Sequence, residues 1–158
     1  MNPTVTPRPP RLADSVRPFV VGAYGFVFLG VGHLGLSAAL ALAGQTPQQR
    51  ETDSVMREAT LTLLGLERTV LDVFNGISIT MALFIIACGL LVLVAVRHAP
   101  ALVQRRTAFG WTTLTVSLAV LAISVLLLPP PPIIILTITS CAFALSLRRA
   151  VPAARAAS

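Results

Sequence analysis

Charge is what this sequence has least of. Only 11% of its 158 residues are Asp, Glu, Lys or Arg, where a soluble domain carries about a quarter. Lysine is absent: all twelve basic residues are arginine, a choice that genomic base composition can produce and from which no function is read. No catalytic, metal, nucleotide or phosphate-binding motif rises above background. The chain is therefore expected to be non-catalytic, with no metal and no cofactor. Two cysteines, Cys88 and Cys141, lie inside apolar runs without CxxC spacing or a neighbouring His or acid. They read as small buried apolar residues rather than as a disulfide or a metal site.

What the sequence does have is apolar and arranged in blocks. Hydrophobic residues make up 55% of the chain, running uninterrupted instead of alternating with polar ones. Runs of about 18 or more apolar residues mark membrane spans. Residues 19–43, 73–96 and 107–128 each pass that length without a formal charge. A fourth run, 133–147, is short: at ~1.5 Å per residue it reaches ~22 Å, against a hydrocarbon core of ~30 Å. Prolines fill positions 129–132 ahead of it. Because proline fits the first turn of a helix, a helix over 130–147 approaches spanning length and forms a tight hairpin with the third span. A broken or re-entrant fourth segment is the alternative.

The arginines set a direction. A net charge of +6 would point to nucleic acid if they formed one patch. They sit instead at the ends of the apolar blocks, as topology signals facing anionic lipid do, so no nucleic acid partner is expected. Arg8, Arg11 and Arg17 precede the first span, Arg97, Arg105 and Arg106 separate the second from the third, and Arg148, Arg149 and Arg155 follow the fourth. Asp14 is the one acid in those segments. The positive-inside rule then places both termini and the short 97–106 connection in the cytoplasm of a bacterial inner membrane. Ala41-Leu42-Ala43 before Gly44 resembles a signal-peptide cleavage site. A signal h-region runs only about 7–15 residues, however, so the first block is expected to be a retained helix. The proline-rich segment 1–18 is expected to be flexible, and the tail 148–158 to fray.

Loop 44–72 is the informative polar part. Loops longer than about 12–15 residues are more often functional or disordered than inert. Thr46-Pro47 reads as a helix start, with Thr46 as cap. Asp53 or Ser54 is placed to cap a second short helix through Val55, Met56 and Ala59, although Thr60-Leu61-Thr62-Leu63 fits a strand equally well. In this reading Leu61, Leu63 and Leu64 rest on the outer membrane face or on the bundle rim.

Candidate site residues are few. His33, within Gly30-Val31-Gly32-His33-Leu34-Gly35, lies ~21 Å along the first span, in its outer half. An ionisable residue there is a functional hypothesis by default, and Asp72 and Asn75 approach the same level from the second span. Two readings stand: a neutral histidine hydrogen-bonded across the bundle, or a proton-relay, quinone or ligand contact made by His33, Asp72 and Asn75. The sequence speaks against haem held by both histidines, because His98 follows the second span on the opposite side, ~20 Å away along the membrane normal; haem held by His33 alone stays open, with nothing in the sequence to support it. Glycines crowd the first span, with Gly22, Gly25, Gly30, Gly32 and Gly35 leading towards Ala39 and Ala43. Small residues four apart let helices approach closely in lipid, either within the bundle or against another protein. Arg68 and Asp72, four apart, are expected to pair on one helix face. Phe109 and Trp111 read as interfacial anchors, and the Ser and Thr residues of the last two spans as satisfying carbonyls of their own helices.

The string Gly65-Leu66-Glu67-Arg68-Thr69-Val70-Leu71-Asp72-Val73-Phe74-Asn75-Gly76-Ile77-Ser78 is the most distinctive. With Gly32-His33 and the proline run, it resembles a family of small, uncharacterised bacterial four-span membrane proteins, from Tyr24 to Arg148. That resemblance implies a fold and no activity. A looser similarity, in size and span count, is to DoxX-like four-span proteins, linked by name to quinol oxidation. The fold class expected is all-α, a four-helix transmembrane bundle with a short extracytoplasmic cap between its first two spans. The function expected is that of a non-catalytic accessory or structural subunit. Its partners would be the lipid bilayer and other membrane subunits or a second copy. The alternative is a small-molecule or quinone-binding protein using His33 with Asp72 and Asn75, or, with less in its favour, an oligomeric transporter.

Overall fold

The computed structural model describes residues 13–104 and 106–150; the expectations attached to Arg8, Arg11, Arg105, Arg155 and the outer ends of both terminal segments lie outside them. Helix α1 (Ala13–Ala43) is followed by α2 (Pro47–Glu58), a hairpin of β1 (Thr60–Leu63) and β2 (Leu66–Thr69), and α3 (Val70–His98). The short α4 (Ala101–Gln104) then leads to α5 (Ala108–Leu127) and α6 (Pro130–Arg149). The fold class is all-α, and α1, α3, α5 and α6 are long and apolar enough to cross a membrane. Their apolar side chains point outward in number: Phe28 is 65% exposed, Phe84 69%, Leu91 67% and Leu126 80%. An apolar surface of that extent belongs in lipid.

The helices outrun the apolar blocks that announce them. α1 starts at Ala13, so residues 13–18, expected in the flexible segment, are helical, with Pro18 inside the opening turns. α3 gains residues at both ends. Apolar content decides how much of a helix lipid can cover, and charged residues such as Arg17 and Arg97 continue a helix beyond that limit. α6 settles the fourth segment: Pro129 is its N-cap, prolines occupy its first positions, and 20 continuous residues follow, about 30 Å of helix.

Two compact units make up the chain, Met1–Phe26 with Gly89–Ser158, and Val27–Cys88. In the first, α5 and α6 run antiparallel through small residues. The buried positions of α5 are Gly110, Ser117 and Ser124, spaced by seven, the repeat that keeps one seam facing a left-handed partner. A side chain at Gly110 would come 2.8 Å from Leu147, and Ser117 shares a buried 2.7 Å hydrogen bond with Ser140. The start of α1 packs on the end of α6. Phe19 lies 4.8 Å from Phe143 and 5.8 Å from Phe109 between ring centroids, and the Ser146 hydroxyl donates to the Ser15 carbonyl at 2.6 Å. Gly22 makes this possible, since a Cβ there would stand 2.6 Å from the Phe143 ring. Gly25 faces the Thr139 hydroxyl oxygen at a distance no side chain would leave open. That oxygen is buried without a hydrogen-bond partner, so its polar lone pairs look onto the glycine backbone, where a weak Cα–H contact is available.

The second unit holds the remainder of α1, α2, the hairpin and the start of α3. Thr46 caps α2 with a full capping box: its hydroxyl accepts from the Gln49 amide at 3.2 Å, and the Gln49 side chain accepts from the Thr46 amide at 2.9 Å. Neither Asp53 nor Ser54 starts a second helix; both lie within α2, and the Ser54 hydroxyl donates back to the Glu51 carbonyl. The 60–63 alternation resolves as strand. β1 pairs antiparallel with β2, Thr60 opposite Thr69 and Leu63 opposite Leu66. Leu64 and Gly65 turn the hairpin at φ 52° and 81°, the left-handed pair that a two-residue hairpin loop requires. Gly adopts it freely, whereas Leu pays roughly 1–2 kcal/mol. Leu61 and Leu64 are exposed; the side chain of Leu63 lies outside the described residues. Arg68 belongs to β2 and Asp72 to the first turn of α3, so the expected i, i+4 pair has no common helix. Thr69 caps that turn instead, its hydroxyl accepting from the Asp72 amide at 3.1 Å.

Gly22→Ala and Gly25→Ala are expected to lower stability by about 1–3 kcal/mol each through overpacking, read by denaturant titration of helicity in mild detergent. Gly32→Ala, with open space around it, should leave stability unchanged or raise it. Equal effects at all three positions would contradict the packing described.

Candidate functional site

The polar centre of the second unit lies where α1 and α3 pass antiparallel. Gly30 brings the backbones together: a Cβ there would meet Ile86 at 2.6 Å and the Ala82 carbonyl at 2.7 Å. One turn further along α1, His33 Nε2 and Ser78 Oγ share a hydrogen bond of 2.7 Å, the donor being set by the histidine tautomer. Both residues are half-buried. Ser37, four residues on, donates its hydroxyl to the His33 carbonyl at 2.9 Å, a bond within its own helix.

The expected partners of His33 are not brought to it. Asp72 and Asn75 are exposed in the opening turns of α3, and neither side chain bonds the imidazole. The reason is register. With His33 level with Ser78, Asn75 and Asp72 stand about 4.5 Å and 9 Å back towards the N-terminus of α3. The sequence placed His33, Asp72 and Asn75 in the same half of the span but could not fix an offset of one to two turns. Ser78 is the residue that reasoning passed over, and its only signal was a hydroxyl inside an apolar block.

The glycines divide. Gly22 and Gly25 are consumed by α6 in the first unit, and Gly30 by α3 in the second. Gly32 and Gly35 meet nothing within 4 Å in their unit, and they and Ala39 are exposed. Taking 100° per residue, Gly32, Gly35 and Ala39 lie about 140–200° around α1 from Gly30. They therefore form a small-residue face on the side of α1 away from α3.

Other candidates carry less. His98 Nδ1 bonds the Val94 carbonyl of its own helix at 3.0 Å. Cys88 and Cys141 are free and exposed, a correction to their reading as buried. In lipid an apolar residue need not be interior, so the burial habit of cysteine in soluble proteins does not transfer. Thr113 and Thr137 do bond carbonyls of their own helices, at 2.9 Å and 2.8 Å, whereas Ser117 and Ser140 reach across. Phe109 stacks on Phe19, and Trp111 is exposed. Among the described residues no group of three His, Cys, Asp or Glu is placed to hold a metal ion. No family model, curated protein or solved structure matches this chain.

A double-mutant cycle on His33→Ala and Ser78→Ala should return a coupling of about 0.6 kcal/mol, with ~1.7 kcal/mol as the upper end for such bonds between membrane helices. The cycle is measured by unfolding in detergent. Additive single effects would mean that the two side chains do not bond.

Proposed function

We propose that this multi-pass membrane protein is a non-catalytic accessory or structural subunit of a larger bacterial inner-membrane complex, docked through the Gly32, Gly35 and Ala39 face of α1. The observation that carries this reading is the division of the glycines. A glycine weakens a helix by about 0.5–1 kcal/mol relative to alanine, a cost recovered where it lets two backbones approach. Gly22 and Gly25 do so within the first unit and Gly30 within the second, whereas Gly32 and Gly35 meet no described residue of their unit. In lipid, where apolar contact alone gives no drive for association, an unoccupied small-residue face is the feature that favours another helix.

The arginine distribution supports an orientation with both termini in the cytoplasm. In that orientation α2 and the hairpin form an extracytoplasmic cap beside the docking face. The resemblance to small bacterial four-span proteins is compatible with this assignment and adds no activity to it. The rival reading, a quinone or other small molecule handled by His33 with Asp72 and Asn75, loses support from the Ser78 bond, which occupies the imidazole Nε2. A transporter built on a discontinuous helix has little in its favour, because α6 is unbroken from Pro130.

Purification from native membranes in mild detergent, with mass spectrometry of co-eluting proteins, is expected to recover a large membrane complex in fixed stoichiometry. Gly35→Ile should abolish that recovery, while His33→Ala should retain it. Recovery of the chain alone with a bound small molecule, lost in His33→Ala, would overturn the subunit reading; recovery as a homo-oligomer would replace the partner by a second copy.

A further inference from the structure

The turn between α5 and α6 has no polar side chain. From Val125 to Leu136 every residue is apolar or proline, and the helix ends stand open in their unit. Leu126 is 80% exposed, Leu127 78% and Ile134 60%, and Pro129, Pro130 and Pro131 are exposed between them. A turn that meets water ordinarily carries polar residues or glycine.

The main chain of this turn has no unused donor. The first four amides of a helix lack a partner within it. In α6 those positions are Pro129 to Pro132, and proline has no N–H. The Leu128 amide is used, donating to the Ser124 carbonyl at 2.8 Å. Elsewhere in the chain a hydroxyl meets the same need, from Thr46 for α2, Thr69 for α3 and Thr107 for α5. One proline suits the first turn of a helix; four in succession remove every amide that water would otherwise serve. Removing them matters only where water is scarce, because an unpaired amide is costly there.

Length sets the depth of the turn. α5 and α6 have 20 residues each, about 30 Å of helix. Arg106 directly precedes the N-cap of α5, and Arg148 lies in the last turn of α6, so both helices leave from the headgroup layer of one leaflet. A bilayer measures ~40–45 Å with its headgroups and ~30 Å without them. Helices of ~30 Å that leave from one headgroup layer end short of the other. The carbonyls that close α5 point along its axis towards that second layer, the nearest source of donors.

We propose that the α5–α6 turn, residues 125–134, stops inside the leaflet opposite Arg106 and Arg148, covered by acyl chains and not by water. Its exposed leucines and prolines form a lipid-facing surface. The Gly32, Gly35 and Ala39 face plays no part in this placement, which holds whether or not that face has a partner.

The test is spin-label accessibility of the purified full chain in vesicles of phosphatidylethanolamine and phosphatidylglycerol. Cys88→Ala/Cys141→Ala removes the native thiols, and Leu127→Cys or Gln48→Cys then takes a single nitroxide label. Both positions are exposed, so neither label displaces a packed side chain, and Gln48 in polar α2 is the aqueous reference. At Leu127, collisions with oxygen, which dissolves in acyl chains, should prevail and those with a water-soluble nickel chelate should be lost. Helicity and monodisperse elution report folding. Should the thiol-free chain fail there, Trp111→Phe/Leu127→Trp reads the same depth, with quenching expected from brominated acyl chains and not from iodide. Nickel collisions at Leu127 as frequent as at Gln48, or iodide quenching of the tryptophan, would overturn the proposal. Shielding from both reagents, the mark of a protein surface over the turn, would overturn it as well.

Discussion

Close approach of helix backbones is the constraint on which the rest of this structure depends. Lipid tails are as apolar as the leucines they touch, so burying a leucine between two membrane helices gains little. What remains is the contact energy of well-fitted surfaces and the few hydrogen bonds that cross them. The crossings of α1 with α6, of α1 with α3 and of α5 with α6 are accordingly built at small residues. Gly22 admits the Phe143 ring, Gly30 admits Ile86, Gly110 admits Leu147, and Ser117 meets Ser140. The large side chains that a soluble core would hide, among them Phe28, Phe84 and Leu91, face outward.

Polar groups follow the same economy. A hydroxyl in lipid has no water to turn to, so it bonds a carbonyl of its own helix or a group on a neighbour. Thr113 and Thr137 take the first course, and Ser117 with Ser140 and His33 with Ser78 take the second. The second kind fixes rotation as well as contact, because sliding one helix by a residue would break the bond. Thr139 does neither. Its hydroxyl oxygen is buried against Gly25 without a donor or acceptor of ordinary strength, a cost tolerated where α1 packs on α6.

Much of the architecture was legible because lipid imposes blunt rules. Four apolar runs gave four helices, and the prolines before Ile133 gave the start of α6 because their ring geometry suits a first turn. Thr46-Pro47 gave the start of α2 for the same reason. Register was not legible. Periodicity says which residues share a face of one helix, but not how far that helix has slid along its neighbour, so His33 was set against Asp72 and Asn75 instead of Ser78. The hairpin was half legible: four alternating residues fit a strand or a helix end, and the pairing of Thr60 with Thr69 that decides between them is a contact at a distance. The glycine face was seen as one feature, and only its neighbours divide it into two.

That division bears on why α1 is built as it is. Glycine is more frequent in membrane helices than in soluble ones, so its presence at 32 and 35 alone would say little. The placement says more. Along α1 the glycines that touch α6 and α3 coincide with buried or half-buried positions, and Phe19, Ala23 and Phe26 around the first of them are core residues. Beyond Gly30 the helix continues with small residues on the side away from α3, while larger residues such as Leu36 and Leu40 stand exposed beside them. A helix facing only lipid has no use for a shallow track between ridges, because acyl chains conform to any apolar surface. A second helix does, since small residues set how near its backbone can come and the flanking leucines set its angle. The N-terminal part of α1 is thus spent on the fold of its own chain, and the C-terminal part has the relief of an interface without an occupant inside its unit.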